Sequence, residues 1–337
     1  MNGLLLLADD VAAVPSIFRP VSPPAESIRY LSILVFAIAA VIFLIVEGIL
    51  IYCLMRFRHR EASEKEPPQI YGSRPIEIAW TAAPILIVVI LVLVNARTLW
   101  DVTRDPPKPK LGDNTLLVTV VGRQWWWEYR YSSYNGKPLS FVTANELHIP
   151  VSNEGVPRPV FLALQSADVY HSFWVPQLAG KTALIPGRTN IMWFQTQTTG
   201  LYVGQCAEYC GTQHANMLQR VVADTPSDFE KWLVGQGKPA ADDPAVAVGR
   251  KEFLSQSCVN CHRIRGIGAT GSYAPDLTHL MSRQTLASGM IPNDPEGKNL
   301  RAWIADPQEI KPGCLMPSFH LSNDQLASIV NYLRTLQ

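Results

Sequence analysis

The densest group of metal-binding side chains lies in CAEYCGTQHANM, which places Cys206, Cys210, His214 and Met217 close together, with His171 upstream. Thiolate, thioether and imidazole ligands together favour copper over calcium or magnesium. A structural zinc site would use four Cys or His ligands without a methionine, and a redox dithiol would have Cys-x-x-Cys spacing. The plainer alternative is a disulfide between the two cysteines.

The spacing of these ligands suits a site with two copper ions. Two thiolates can bridge two metals, so that each ion needs only one histidine and one weak outer ligand. The Met217 sulfur can serve one ion, and a main-chain carbonyl of the same loop, such as that of Glu208, can serve the other. Sharing one electron over two bridged metals should reduce reorganisation when the charge changes. The pattern therefore predicts a dicopper site.

A second cluster, Cys258-Val-Asn-Cys261-His262, has the attachment pattern of a c-type haem. Both thiols would form thioethers with the porphyrin, and His262 would ligate the iron. The same string also occurs in redox and zinc proteins. A downstream methionine in a Pro-flanked loop, Met316, favours haem and is the predicted sixth ligand, with Met281 and Met290 as alternatives. His/Met ligation raises the iron potential, which suits an electron donor to copper.

Two apolar stretches near the N-terminus predict a membrane hairpin. Leu31–Met55 and Ile76–Val94 are each long enough to cross a bilayer, and neither shows the polar face of a helix at a protein surface. We expect spans at about residues 31–55 and 76–98. Buried helices of a soluble core are the alternative.

The loop between these spans carries five basic residues. They are Arg56, Arg58, Arg60, Lys65 and Arg74. Because positive charge marks cytoplasmic loops, both termini and everything after Trp100 are predicted on the outer, periplasmic side of a bacterial plasma membrane. The formal net charge of +1 argues against a nucleic-acid partner, which would require a distinctly basic protein.

The remaining chain reads as two further domains. The Pro-rich segment 105–110 is a predicted linker, followed by short β-branched and aromatic runs typical of an all-β domain over residues 112–235. These runs are Leu116–Val121, Trp125–Tyr131, Leu147–Pro150, Val160–Leu164, Thr189–Thr196 and Gln219–Ala223. A second predicted linker, Gly235–Ala247, precedes a helical pattern over residues 245–337. The predicted fold is a membrane-anchored multidomain protein, with residues 1–104 as its anchor.

The copper-type string and the upstream DVYHSF resemble the binuclear copper motif of cytochrome c oxidase subunit II. The two spans and the stretch GRQWWWEYRY match that family in order and spacing, and the resemblance covers about residues 30–235. The C-terminal part resembles small bacterial cytochrome c domains, in which the proline carbonyl of a segment like Ala274-Pro275-Asp276-Leu277 orients the ligating histidine. Together they resemble subunit II of a caa-type haem–copper oxidase.

The resemblance implies a cupredoxin Greek-key barrel followed by an all-α cytochrome c domain. Its implied copper ligands are His171, Cys206, Cys210, His214, Met217 and the Glu208 carbonyl. The Glu208 carboxylate would help to bind Mg²⁺ at the border with subunit I. Trp125 matches the tryptophan through which electrons enter, although ordinary strand packing would also explain it. Glu77 matches the mouth of a proton path, although an interfacial position would also explain it.

The implied function is a relay in which an external cytochrome c or cytochrome bc-type complex reduces haem c, and electrons pass through two copper ions to subunit I. Oxygen reduction would occur there, coupled to proton translocation. A nitrous oxide reductase-like enzyme would need a large His-rich propeller, and this chain has only seven histidines. A quinol oxidase subunit II would lack the copper ligands. A copper chaperone would show a thioredoxin-like α/β pattern without a haem motif.

Overall fold

The structure is a computed structural model and describes residues 16–58, 69, 71–103, 114–153 and 155–337. Two long apolar helices, α1 (Pro23–Arg56) and α2 (Arg74–Thr103), contain the two predicted spans and extend beyond them. Their most apolar windows have mean hydropathies of 3.0 and 2.5, and neither window contains a buried residue, as expected of side chains that face lipid. Arg60, Lys65 and the predicted linker 105–110 lie outside the described residues.

The middle of the chain forms a sheet-rich domain, here called the β domain. Its strands are β1 (Leu116–Arg123), β2 (Trp126–Tyr134), β3 (Lys137–Ala144), β4 (Glu146–Pro150), β5 (Val160–Ser166), β6 (His171–Phe173), β7 (Thr182–Leu184), β8 (Asn190–Phe194), β9 (Gly200–Gln205) and β10 (Leu218–Asp224). They build a five-stranded sheet in the order β3-β2-β1-β5-β8, a three-stranded sheet β4-β10-β9 and a ribbon β6-β7. This is the expected cupredoxin-like architecture.

Alternation of apolar and polar residues gives the β domain its core. Leu116, Val118 and Val120 of β1 are buried on one face, as period-two alternation requires. Four aromatic side chains of β2 belong to this core, and the neighbouring helix α3 (Pro226–Gly237) packs two side chains into it. The sheets thereby hold the ends of β6, β9 and β10 in fixed positions, and these ends carry the copper-type residues.

The C-terminal part forms a small domain of helices, here called the haem domain. Its helices are α4 (Ala247–Ser255), α5 (Cys258–Cys261), α6 (Lys298–Ala305), α7 (Pro307–Ile310) and α8 (Asn323–Leu333). Two ribbons of two-residue strands, β11 (Arg263–Ile264) with β12 (Ala269–Thr270) and β13 (Thr285–Leu286) with β14 (Ile291–Pro292), accompany them. A capping box between Ser322 and Gln325 begins α8.

The predicted linker Gly235–Ala247 is packed against the haem domain. The Ala240 amide donates a hydrogen bond to the Arg265 carbonyl at 2.9 Å, and the Arg265 guanidinium donates to the Gln236 carbonyl. Asp243 caps a short 3-10 turn, Pro244–Val246, which leads directly into α4. The connection between the two domains is therefore held at several points along its length.

Candidate metal and haem sites

The copper-type residues come from three strand ends. His171 begins β6, Cys206 follows β9 and Met217 immediately precedes β10. The Cys206 amide donates to the Met217 carbonyl at 3.0 Å, which joins the two ends of the loop between β9 and β10. The Ala207 amide donates to the Ser172 carbonyl at 3.1 Å, which fastens this loop to β6. Backbone contacts thus fix the ligand loop independently of any metal.

The side chains of this loop converge on one another. The Cys206 sulfur lies 3.8 Å from the Cys210 sulfur and 3.9 Å from His171 Nδ1. The Cys210 sulfur lies 3.6 Å from His214 Nδ1 and 3.9 Å from the Met217 sulfur. The Glu208 carbonyl oxygen is 3.2 Å from the Cys206 sulfur.

These distances fit two bridged copper ions and exclude a disulfide in this structure. A disulfide requires sulfurs about 2.05 Å apart, far less than the separation observed. Each cysteine sulfur is flanked by one imidazole nitrogen and one weak donor, which is the donor set that two copper ions sharing two thiolates need. Hydrogen bonding with Cys210 lowers the pKa of the Cys206 thiol, and the same contact raises the pKa of Cys210.

Asp168 is a functional candidate that our sequence reasoning missed. Its carboxylate lies 2.7 Å from His171 Nε2, which leaves Nδ1 facing the sulfurs. Burial acts to lower the pKa of His171, but the bonds to Asp168 and Cys206 outweigh it and the pKa is raised. A carboxylate on the outer nitrogen of a metal-binding histidine fixes its ring orientation. The available signal was an acidic residue three positions before the histidine.

Trp125 contacts the copper-type loop directly. Its indole Nε1 donates to the Cys210 carbonyl at 2.9 Å, and the Gln124 amide side chain donates to the same oxygen at 2.8 Å. Gly211 follows with a φ of +112°, and a Cβ added there would lie 3.1 Å from the Trp125 ring. The close approach of the indole and the backbone conformation both explain a glycine at this position.

The haem-type residues surround one large, mostly apolar cavity. Its empty volume, including open solvent at its mouth, is about 1310 Å³. The wall includes Cys258, Cys261, His262 and Met316 of the haem domain, together with Trp125 of the β domain. Because α5 is a single helical turn, its two cysteines three positions apart lie on one face, as attachment to one porphyrin requires.

The two residues expected to ligate the haem iron, His262 and Met316, both lie on the wall of this cavity. His262 Nδ1 donates to the Pro275 carbonyl at 2.7 Å, which leaves Nε2 for iron and bears out the predicted role of Pro275. Burial lowers the pKa of His262, which favours the neutral form that binds metal. Among the described residues, Met316 lines the cavity, whereas Met281 and Met290 are absent from its wall. The residues present fit a covalently attached haem.

Two predicted residues lie apart from these clusters. The Glu208 carboxylate is half exposed, and its nearest charged partner is Lys181 Nζ at 3.6 Å. Glu77 lies in the first turn of α2, where its carboxylate accepts a hydrogen bond from the Ser73 amide at 3.2 Å. That contact gives Glu77 a structural use in starting the helix.

Comparison with known proteins covers nearly the whole chain. Family models match at residues 17–97 (cytochrome c oxidase subunit II, transmembrane domain), 116–224 (its periplasmic domain) and 246–337 (cytochrome c). Cytochrome c oxidase subunit 2 of Alkalihalophilus pseudofirmus is 32% identical, over 94% of this chain and 90% of the relative. The same subunit of Bacillus sp. strain PS3 is 32% identical, over 83% and 80%.

A solved structure, the periplasmic domain of subunit II of cytochrome oxidase from Bradyrhizobium japonicum, is 29% identical. It covers 38% of this chain and 96% of its own, with a TM-score of 0.33. The three family models follow one another along this chain, and they match the membrane helices, the copper-type domain and the haem-type domain in turn. The chain belongs to the cytochrome c oxidase subunit 2 family, in the form that carries a C-terminal cytochrome c domain.

Proposed function

We propose that electrons reach the oxidase through haem c held by Cys258, Cys261, His262 and Met316, and then through a dicopper centre that begins beside Trp125. As a subunit of cytochrome c oxidase, the chain transfers electrons to the oxygen-reducing complex. One observation carries the proposed route: Trp125 lines the haem cavity and also donates a hydrogen bond to the carbonyl of Cys210. A single side chain thereby separates the two redox sites.

The protein's own residues prepare this transfer in distinct ways. When bound, the haem and the copper ions supply the one-electron chemistry. Asp168 and the Pro275 carbonyl hold the two histidines His171 and His262 in fixed tautomers. The buried cysteines and Met217 exclude water from the copper loop. Fixed, dry ligands reduce the rearrangement that accompanies a change of charge.

Metal and haem analysis of the purified chain, with its absorption spectrum, tests the cofactor assignment. We expect two copper ions and one covalent haem per chain, c-type haem bands and a near-infrared dicopper band. A colourless, haem-free protein with one copper ion would instead favour a chaperone function. A chain with haem but a Cys206–Cys210 disulfide would refute the dicopper centre.

Replacing Trp125 with phenylalanine should slow copper reduction by the haem on the order of tenfold or more, because small losses of positioning at a reacting pair have effects of this size. The variant loses the indole hydrogen bond to Cys210 but keeps an aromatic ring. Flash-initiated electron transfer would measure the rate. Trp232→Phe is the matched control, since Trp232 stacks on His148 in the β domain and is not part of the described cavity wall. Equal rates in both variants would remove Trp125 from the route.

The basic loop between the membrane spans indicates how the chain is oriented in the membrane. The basic loop between the spans would lie in the bacterial cytoplasm, and both termini and the redox domains would face the periplasm. The external donor would be a cytochrome c or a cytochrome bc-type complex.

The Glu208 carboxylate beside Lys181 does not form a magnesium site by itself, because a neighbouring ammonium competes with a cation. We propose that subunit I supplies the remaining ligands for Mg²⁺.

Glu77 is proposed at the mouth of a proton path into subunit I. Glu77→Ala should slow oxygen consumption severalfold and leave the copper spectrum unchanged. Glu77→Gln separates this role from the hydrogen bond to Ser73, because glutamine keeps an acceptor for that amide but cannot carry the proton. Slow turnover in both variants supports the proton path. Normal turnover in Glu77→Gln would limit Glu77 to starting the helix.

A further inference from the structure

The haem domain and the β domain meet around the haem cavity. The β domain contributes Trp125 and Asn145 to the wall, and the haem domain contributes Leu286, Ser288 and Lys311. The Ser288 hydroxyl lies 2.9 Å from the Trp125 carbonyl and 3.0 Å from Asn145 Oδ1. The haem cavity is thus completed by residues of the copper-binding domain, and polar contacts cross its edge.

Lys311 is a buried cation in this boundary, with 3% of its surface exposed. Its ammonium donates to the Trp125 carbonyl at 2.9 Å, to the Asn216 carbonyl at 2.9 Å and to the Ala287 carbonyl at 3.4 Å. Two of these acceptors belong to the β domain. Among the described residues Lys311 forms no ion pair, and burial lowers its pKa to about 8.

A buried carboxylate of the opposite domain makes the reciprocal contact. Glu146 is 2% exposed, and its oxygens accept hydrogen bonds from the Gln284 amide at 2.9 Å and the Thr285 amide at 2.9 Å. The Thr285 hydroxyl donates to the same carboxylate at 2.8 Å. Each buried charge is therefore hydrogen-bonded largely by groups of the other domain, and Glu146 also lies 3.6 Å from the Arg220 guanidinium of its own domain.

Buried charges of this kind specify geometry more than they add stability. Removing either charge from water is costly, and the cost is offset only where its partners stand at hydrogen-bonding distance. Lys311 also lies in the loop that carries Met316. Its ammonium donates hydrogen bonds to the carbonyls of Trp125 and of Asn216, which precedes Met217. One side chain thus joins the loops of both redox sites to the tryptophan between them.

We propose that Lys311 is a positioning residue, which with Glu146 holds the haem domain on the β domain in one orientation with the haem cavity against Trp125. This inference rests on the proposed relay and adds that the donor domain is fixed in place. The haem domain therefore does not have to diffuse on a flexible linker to reach its electron acceptor. Since buried contacts are screened little by salt, transfer within the wild-type chain should be insensitive to ionic strength.

The test follows electron transfer from haem to copper in intact oxidase carrying Lys311→Met, with Lys251→Met as a control at an exposed lysine of the same domain. We expect the Lys311 variant to slow the first-order transfer about tenfold to about 100-fold, as loss of a buried charged contact or of about 1 Å in placement does. Copper content, haem ligation bands and reduction of the haem by an external reductant should be unchanged. The control should match wild type.

A second variant keeps the test decisive if Lys311→Met is not assembled. Glu146→Gln retains the side-chain shape, and we expect slower transfer together with faster hydrogen exchange at the Gln284 and Thr285 amides. Wild-type rates in both variants, or a strong salt dependence of transfer in the wild type, would overturn fixed docking. Absence of haem-to-copper transfer in the wild type would instead refute the proposed relay, so the two failures are distinguishable.

Discussion

Cys210→Ser should empty the copper site and stop electron flow into the oxidase. The Cys210 sulfur lies within 4 Å of the Cys206 sulfur, His214 Nδ1 and the Met217 sulfur, so it is the common neighbour of the cluster. Changes in groups that merely orient metal ligands cost about 10–100-fold in affinity or activity, so the loss of a bridging ligand should exceed about 100-fold. Copper analysis and oxygen consumption measure both effects.

The haem provides an internal reference for this variant. The c-type haem bands should remain at wild-type intensity, since residues 258–262 lie in the separate haem domain. Cys53→Ser is the matched control, because Cys53 is an exposed cysteine of α1 outside the cluster. Full copper content and an intact near-infrared band in Cys210→Ser would contradict the assignment of Cys210 as a bridging ligand.

Met316→Leu should lower the potential of the haem iron and slow turnover of the oxidase. Leucine keeps the apolar volume of the cavity wall but offers no sulfur to the iron. Axial ligands set haem potentials over a range of roughly 0.8 V, and about 59 mV already changes a one-electron equilibrium tenfold. Loss of the methionine should therefore make the haem a stronger reductant with an altered, more open coordination sphere. Redox titration of the purified oxidase measures the potential.

Turnover should fall in Met316→Leu because the open iron position binds water or other ligands, and their exchange accompanies each change of charge. Met281→Leu is the matched control, as Met281 packs against the core of the haem domain and its sulfur is not on the described cavity wall. A wild-type potential in Met316→Leu, or a lowered potential in Met281→Leu, would assign the sixth ligand differently.

Local patterns in the sequence predicted much of this protein. The two spans appear as α1 and α2, and the six predicted β runs all fall on strands. Strand β3 was missed, although Asn135-Gly136, with φ values of 51° and 71°, forms a favoured hairpin turn between β2 and β3. The short strands β6 and β7 and strand β9 also lay outside the predicted runs. Strands β6 and β7 have three residues each, too few to show alternation, and β9 contains two glycines, which are uncommon in strands.

The copper and haem clusters were predictable because their ligands are concentrated in short strings. The contacts that surround these clusters could not be predicted from the sequence. Lys311 meets the Trp125 carbonyl across 186 positions and Glu146 meets Thr285 across 139, and neither residue stands in a recognisable motif. Such pairs follow from how two folded domains pack, which local spacing does not specify. The sequence predicted two domains joined by a linker, whereas these contacts show that the two domains also pack against each other.

The most direct measurement injects one electron into haem c of the intact oxidase and follows the haem and near-infrared copper bands together. We predict that the haem band decays and the copper band bleaches with the same first-order rate, at any protein concentration and with little effect of salt. Haem reoxidation that leaves the copper band unchanged, or that proceeds only by collision between molecules, would contradict the relay within this chain.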